Sequence, residues 1–123
     1  MREPETCWRV EFTAQAEGDI RGIISYIAER EGPEPAAKLL DNFVRARDSL
    51  RELPGRGRIP PELLRVNVLT YREIQAPPYR LIYQMDKAAR AVHIHVVANG
   101  RRNFTELLKQ RLFRVPPGTY WRE

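Results

Sequence analysis

The sequence predicts an α+β fold in which two long helices pack on one face of an antiparallel sheet. Apolar residues recur at helical spacing over two consecutive segments in the first half of the chain, whereas three shorter segments in the second half alternate apolar and polar residues. Short turns separate those three segments, which favours an antiparallel meander. The predicted order is β-α-α-β-β-β-α, in a single domain that spans all 123 residues.

The first half of the chain contains a short strand and a helical hairpin. The strand is predicted at 8–12, where WRVEF alternates, and Thr13 is placed to cap the helix that follows it. That helix runs to about Arg30, before Glu-Gly-Pro interrupts the pattern. The second helix is predicted from Glu34 or Pro35 to about Leu53. Because the connection is so short, the two helices should form an antiparallel hairpin.

The second half contains three strands and a last helix. The strands are predicted at about 68–75, 79–85 and 90–97, and the helix from Asn99 or Asn103 to about Phe113. The core of the domain is therefore expected at about 8–113. The remaining residues, 114–123, form a C-terminal tail whose aromatic side chains are expected to pack back on the domain.

The chain is basic and rich in arginine. It carries 21 Lys and Arg against 16 Asp and Glu, a net charge of +5, and lysine occurs only at Lys38, Lys87 and Lys109. Such a charge suits nucleic acid or an acidic protein partner, although a genome of high GC content would also supply many arginines. The single cysteine, Cys7, excludes an internal disulfide. No signal-peptide pattern or membrane-length apolar run is present, so a cytoplasmic protein without membrane contact is expected.

The strand predicted at 79–85 carries an arginine among apolar residues. The face that should pack against the helices bears four side chains, Tyr79, Leu81, Tyr83 and Met85. The corresponding side chains of the next strand are Val92, Ile94 and Val96. Arg80 then points to the opposite face, which is expected to be open, and His93 and His95 join it there.

Arginines from separate parts of the chain are expected to line this open face as a partner-binding surface. They are Arg56, Arg58, Arg72, Arg80, Arg101 and Arg102. The place of Arg72 depends on whether Tyr71 and Glu73 face the other way. Two alternatives remain open: Arg80 pairs with Glu73 on a neighbouring strand, and the loop arginines are simply solvated.

No standard catalytic set is present. The chain has no glycine-rich phosphate loop and no acidic cluster for Mg²⁺. His93 and His95 have a spacing that can chelate a metal, but no third ligand is evident, so neither a metal nor a cofactor is expected. Chemistry on this face would act on a phosphodiester through electrostatic stabilisation, with a histidine as general base.

Several stretches together resemble one known superfamily. FTAQAEGDIRGIISYIAER, ELPGRGRIPPELL, PYRLIYQM and HVVANGRRNFTELLKQRL are similar to segments of the RelE/ParE toxins, and the resemblance covers about residues 8–113. It implies the toxin of a type II toxin–antitoxin pair, held inactive by an antitoxin from the same operon. RelE-like members cut mRNA in the ribosome, whereas ParE-like members poison DNA gyrase and are not nucleases.

The positions that match RelE-type cleavage residues favour the ParE-like branch. Arginines are matched by Arg80 and Arg102, and a basic residue of the second strand by Arg72. The positions of a RelE-type lysine, a further arginine and a tyrosine proposed as general base fall instead on Ile74, Phe104 and Leu108. These three side chains cannot carry a proton, so the resemblance implies a gyrase inhibitor rather than an enzyme.

Two alternatives to gyrase inhibition remain. A RelE-like mRNA endonuclease would rely on a different set of residues, namely Arg72, Arg80, Arg102, His93 and His95. An inactive module would bind the antitoxin and leave growth untouched.

Overall fold

The computed structural model describes residues 7–113, which form a four-stranded sheet with helices against both faces. The elements in chain order are β1 (Arg9–Phe12), α1 (Ala14–Glu31), α2 (Pro33–Ser49), α3 (Pro61–Leu64), β2 (Tyr71–Ala76), β3 (Tyr79–Asp86), β4 (Ala91–Asn99) and α4 (Phe104–Leu112). The predicted order is confirmed, with α3 as an addition that apolar periodicity did not predict. The predicted tail, 114–123, lies outside the described residues.

The sheet has the strand order β1-β4-β3-β2. Strands β2, β3 and β4 form the predicted antiparallel meander. Strand β1 differs, because it lies beside β4 in parallel, with Arg9 opposite Ala91 and Phe12 opposite Ile94. Since β1 is shorter than β4, the second half of β4 has no strand neighbour on that side.

The helical hairpin covers the first face of the sheet, as predicted. The Thr13 hydroxyl oxygen accepts a hydrogen bond from the Ala16 backbone N–H at 3.2 Å and so caps α1. Gly32 joins the helices with a φ of 105°, which a side chain would rarely tolerate. Phe43 and Leu50 of the second helical segment are fully buried against the sheet. The second helix ends at Ser49 rather than near Leu53.

The second face is not open, which corrects the prediction. Helices α3 and α4 cover part of it with a second apolar core, made of Leu63, Ile82, Val96, Ala98, Phe104, Leu107 and Leu108. This core was missed because the sequence pattern did not show which side of the sheet the last helix packs on. The short α3, with four residues, was too brief to give a periodic signal.

Val96 lies on this second face and not, as predicted, under the helical hairpin. The register of β3 and β4 shifts between Ile82 and Tyr83, so that Ile82 pairs with Val96 while Tyr83 pairs with Ile94. His95 is thus the extra residue of a β-bulge. Because a bulge adds one residue to one strand, it reverses the alternation of the side chains beyond it.

Candidate functional site around Arg80

Arg80 lies on the second face, as predicted, but it is held in ion pairs beneath α3 and α4. Its Nε donates to Glu73 Oε1 at 2.6 Å, and its Nη1 and Nη2 donate to the two Glu62 carboxylate oxygens at 3.0 and 2.8 Å. The guanidinium carbon also lies 3.9 Å from the centre of the Phe104 ring. The arginine side chain is 11% exposed. The pairing with Glu73, an alternative to an exposed Arg80, is the arrangement observed, whereas the pairing with Glu62 was not predicted.

Glu73 extends this arrangement to the loop before α3. It is 2% exposed, and its second carboxylate oxygen accepts from Arg58 Nε at 2.5 Å. Backbone hydrogen bonds join the same two residues in both directions, at 2.7 and 3.1 Å. The side chains therefore alternate in charge as Arg58, Glu73, Arg80 and Glu62, a set called here the Arg80 network.

Two residues of the network, Glu62 and Arg80, have pKa values shifted from their ordinary ones. A hydrogen bond from Arg80 lowers the pKa of Glu62, although burial acts in the opposite direction. Burial by itself would lower the pKa of Arg80, but hydrogen bonds to Glu62 and Glu73 outweigh it and raise that pKa. Both groups therefore stay charged at neutral pH, and the guanidinium is already occupied by two carboxylates.

The other predicted surface arginines do not join this network. Arg72 is on the opposite face, because Tyr71 and Glu73 take the second face, and its Nη1 donates to the Gly57 carbonyl at 2.8 Å. Arg56 is exposed and donates to the Ser49 hydroxyl at 3.0 Å. Two further arginines, Arg101 and Arg102, are exposed in the connection between β4 and α4. The structure thus brings together Arg58 and Arg80.

His93 lies away from Arg80, and His95 packs against Tyr71. His93 pairs across the sheet with Gln84, four residues along β3 from Arg80, which corresponds to about 13 Å. The edge of the His95 ring meets Tyr71, with 5.9 Å between the ring centres. Burial lowers the pKa of His95, and the charges of His93 and Arg111 add to this effect. Its Nε2 is buried and has no hydrogen-bond partner among the described residues.

The positions matched to RelE-type proton carriers are part of the apolar cores. Ile74 is 3% exposed and packs under the helical hairpin, whereas Phe104 and Leu108 are 2% and 1% exposed in the second core. The Phe104 ring packs against the Arg80 guanidinium in a cation–π contact. These residues fasten the helices to the sheet and cannot transfer a proton.

The described residues show no arrangement typical of a metal site or of a membrane span. Between residues 7 and 113, no group of three or more His, Cys, Asp or Glu side chains is arranged to hold a metal ion. Over the same residues, no helix is both long and apolar enough to cross a membrane. Among the ion pairs of residues 7–113, those of Arg80 with Glu62 and Glu73 are the most buried, with side chains 11%, 18% and 1% exposed.

Comparison with solved structures finds the same fold in three toxin systems. The chromosomal ParDE system of Pseudomonas aeruginosa matches with a TM-score of 0.63 and 18% identity, covering 77% of this chain and 98% of that one. The RelBE2 toxin–antitoxin complex of Mycobacterium tuberculosis gives 0.53 and 21%, covering 80% and 97%. A double mutant of the Escherichia coli toxin RelE in the free state gives 0.56 and 15%, covering 89% and 99%.

Comparison of the sequence itself is more specific. No curated protein matches significantly. A family model described as the ParE toxin of the type II toxin–antitoxin system parDE matches residues 10–104. That range contains β2, β3 and β4, all of β1 except Arg9, the helical hairpin and the Arg80 network. The chain therefore belongs to the ParE toxin family of type II toxin–antitoxin systems.

Proposed function

We propose that this toxin inhibits bacterial growth by poisoning DNA gyrase, without cutting nucleic acid, and that a cognate antitoxin neutralises it in the cytoplasm. The observation that carries the proposal is the state of Arg80. Its guanidinium is bound to Glu62 and Glu73 at 2.6 to 3.0 Å, so it is not available to a phosphodiester. In a RelE-like nuclease the matching arginine would have to face the RNA.

The residues at the positions matched to RelE-type proton carriers support the same proposal. The general base and acid of a cleavage reaction each contribute roughly 10²- to 10⁴-fold. Buried Ile74, Phe104 and Leu108 occupy the matched positions, and His93 lies about 13 Å along the sheet from Arg80. We infer that Arg80 and His93 do not act together on one phosphate.

The proposed antitoxin partner is supported by the similar structures. The Pseudomonas match is a ParDE system, and the Mycobacterium match is a toxin–antitoxin complex. A chain with a net charge of +5 suits a partner that is acidic in part. The exposed arginines Arg56, Arg101 and Arg102 are the proposed surface contacts for such a partner.

The proposal is tested by inducing this chain alone in a bacterium and following plasmid supercoiling and a reporter mRNA side by side. We expect supercoiling to fail and filamentous cells to appear while the mRNA stays intact. A variant that cannot fold, Phe43→Asp, serves as the control, because Phe43 is fully buried. Purified gyrase inhibited by the purified chain would place the effect on that enzyme.

Two results would contradict the proposal. Cleaved mRNA with normal supercoiling would indicate a RelE-like nuclease, and Arg102→Ala would then be expected to abolish cleavage with little change in stability. Unimpaired growth at a verified level of soluble protein would indicate a module that only binds the antitoxin.

A further inference from the structure

A small apolar groove lies between α3 and α4, on the outside of the second core. It has a volume of about 220 Å³, and its apolar lining consists of Leu63, Val66, Leu108 and Phe113. Leu63 and Leu108 are buried, at 2% and 1% exposed, whereas Val66 and Phe113 are 63% and 46% exposed. An exposed apolar groove of this kind is a place where another apolar group binds.

The size and charge of the groove suit one aromatic ring. An apolar cavity of about 150 Å³ is sufficient for benzene. Among the polar lining residues, Glu62 is bound by Arg80, whereas Lys109 is exposed and takes part in none of the ion pairs found between residues 7 and 113. An ammonium group beside an apolar groove attracts the face of an aromatic ring.

The segment that follows the groove in the chain supplies such rings. Phe113 lines the groove and is the last residue that the structure describes. The residues after it, 114–123, have the sequence RVPPGTYWRE, which contains Tyr120 and Trp121. Because an extended chain covers about 3.3 Å per residue, Trp121 can reach any point of a groove that begins at Phe113.

The sequence between Phe113 and Trp121 favours a reversal of the chain. Pro117 and Gly118 are the residues preferred at the two central positions of a type II turn, because proline fixes φ and glycine accepts a positive φ. A tight turn over 116–119 places residue 120 opposite residue 115 and Trp121 opposite Arg114. Trp121 then lies beside Phe113, at the end of the groove.

The position of this segment in the chain favours it over a separate partner. A short connection keeps a tethered group at an effective concentration of roughly millimolar. A single ring on a separate peptide would bind such a small groove weakly, whereas the same ring on residues 114–123 has the connection already made at Phe113. The adjoining segment is therefore the occupant that the groove fits.

We propose that residues 114–123 fold back along α4 and place the indole of Trp121 in the groove between α3 and α4, with one face of the ring towards Lys109. Glu62 lines the same groove, so the docked segment shields the ion pair of Glu62 with Arg80 from water. Because α3 has only four residues, the segment also holds α3 on α4. The inference goes beyond the proposed function and does not depend on the target of the toxin.

The test measures the environment of Trp121 by fluorescence. The chain has two tryptophans, and Trp8→Phe leaves Trp121 as the single one. In that chain we expect emission at a shorter wavelength, and weaker quenching by acrylamide, than in the same chain unfolded in urea. Val66→Asp places a carboxylate in the groove and should move both properties to the values of the unfolded chain. Val66 is 63% exposed, so the fold should be kept.

A matched control separates the groove from general effects. Leu53→Asp makes the same apolar-to-acidic change at a position that is 64% exposed and lies outside the groove. It should leave the emission and the quenching of Trp121 unchanged. The melting temperature of each variant, followed by circular dichroism, shows whether it is folded.

A second measurement tests the contact through stability, in the chain that keeps Trp8. Val66→Asp and Trp121→Ala should each lower the urea midpoint of unfolding. The double variant should lose less than the sum of the two single losses, because both changes remove the same contact.

The outcomes that overturn the inference are distinct. Emission and quenching of Trp121 equal to those of the unfolded chain would exclude a docked segment. A shielded Trp121 that Val66→Asp does not expose, or additive losses in urea, would exclude this groove as the place of docking. A Trp121 that becomes exposed as a dimer dissociates on dilution would assign the contact to a second copy of the chain. The supercoiling assay does not enter this test, so gyrase poisoning and tail docking can fail independently.

Discussion

Arg80 joins parts of the chain that are distant in sequence. From β3 its guanidinium reaches Glu73 on β2, Glu62 on α3 and the Phe104 ring on α4. A buried ion pair adds little net stability, but the removal of one partner is costly because it leaves an uncompensated charge. Arg80 is therefore interpreted as a structural residue, whatever its counterpart does in a nuclease.

Replacing Arg80 with methionine should lower the free energy of unfolding by about 3 to 5 kcal/mol, since Glu73 would stay buried with Arg58 as its remaining partner. Urea unfolding followed by circular dichroism measures the change. Arg101→Met, at an exposed position, should stay within about 0.5 kcal/mol of the unchanged chain. Equal stability of the two variants would show that the Arg80 network is not structural.

Glu62 should make the stability depend on pH in the acid range. Because its pKa is lowered in the folded chain from the ordinary 4.5, the folded state binds its proton more weakly than the unfolded state does. The stabilisation is thus present above pH 4.5 and is lost as the pH falls through the lower folded pKa. Urea unfolding at pH values from about 3 to about 6 should show that the free energy of unfolding falls less steeply with decreasing pH in Glu62→Gln than in the unchanged chain. An identical decline in that variant would contradict the assignment.

His95 should add a second acid-dependent loss at higher pH. Its pKa is lowered by burial from the ordinary 6.5, so the unfolded state takes up the proton first as the pH falls. Stability should therefore decrease from about pH 6.5 downward until the folded pKa is passed. NMR titration of the imidazole measures the folded pKa directly. A value at or above 6.5 would contradict the prediction.

At the scale of elements, the loop before α3 is fixed against the sheet by Gly57. Its N–H donates to the Tyr83 hydroxyl at 3.0 Å, and that hydroxyl donates to the Pro54 carbonyl at 2.7 Å. A Cβ at Gly57 would lie 2.7 Å from the Tyr83 oxygen and would also press on the Glu73 carbonyl. The loop must therefore have glycine at this position to place Arg58 next to Glu73.

Gly57→Ala should destabilise the chain by about 1 to 3 kcal/mol, because the backbone of β2 cannot move away. The comparison is Gly55→Ala, where the added Cβ meets nothing within 4 Å, and the measurement is the unfolding midpoint in urea at equal slope. If both alanine variants unfold at the same midpoint, the loop can move away from Tyr83 and Glu73 far enough to accommodate a Cβ at position 57, and the prediction is wrong.

At the scale of the whole molecule, the second core fills two of the three positions matched to RelE-type proton carriers, namely Phe104 and Leu108. Leu108 is 1% exposed in that core, at a position where the resemblance to RelE would put the tyrosine. Leu108→Tyr should therefore cost about 1 to 3 kcal/mol through overpacking and should not produce mRNA cleavage. Leu64→Tyr, at a position 55% exposed, is the control. Cleaved reporter mRNA after induction of Leu108→Tyr would show that one residue separates the two activities.

The periodicity and alternation of apolar residues were sufficient to predict most helices and strands and part of the Arg80 network. The alternation in β3 placed Arg80 opposite the helical hairpin, where it lies, and Glu73 was named as its possible partner. The same parity argument failed for Val96, because a β-bulge leaves no trace in hydrophobic alternation. Arg72 was misplaced because β2 has a buried residue on each face, Glu73 on one and Ile74 on the other, so polarity does not indicate which face is covered.

The sequence by itself determined the order of elements, the helical hairpin, the meander and the superfamily, because these follow from periodicity, turn residues and short motifs that are local in the chain. Tertiary structure decided that the second face is covered and that Arg80 is bound by Glu62 as well as Glu73. It also decided that β1 pairs in parallel with residues 91–94 of β4 alone. These features depend on which distant segments meet, and contacts between distant segments are set by packing of the whole chain rather than by any local pattern.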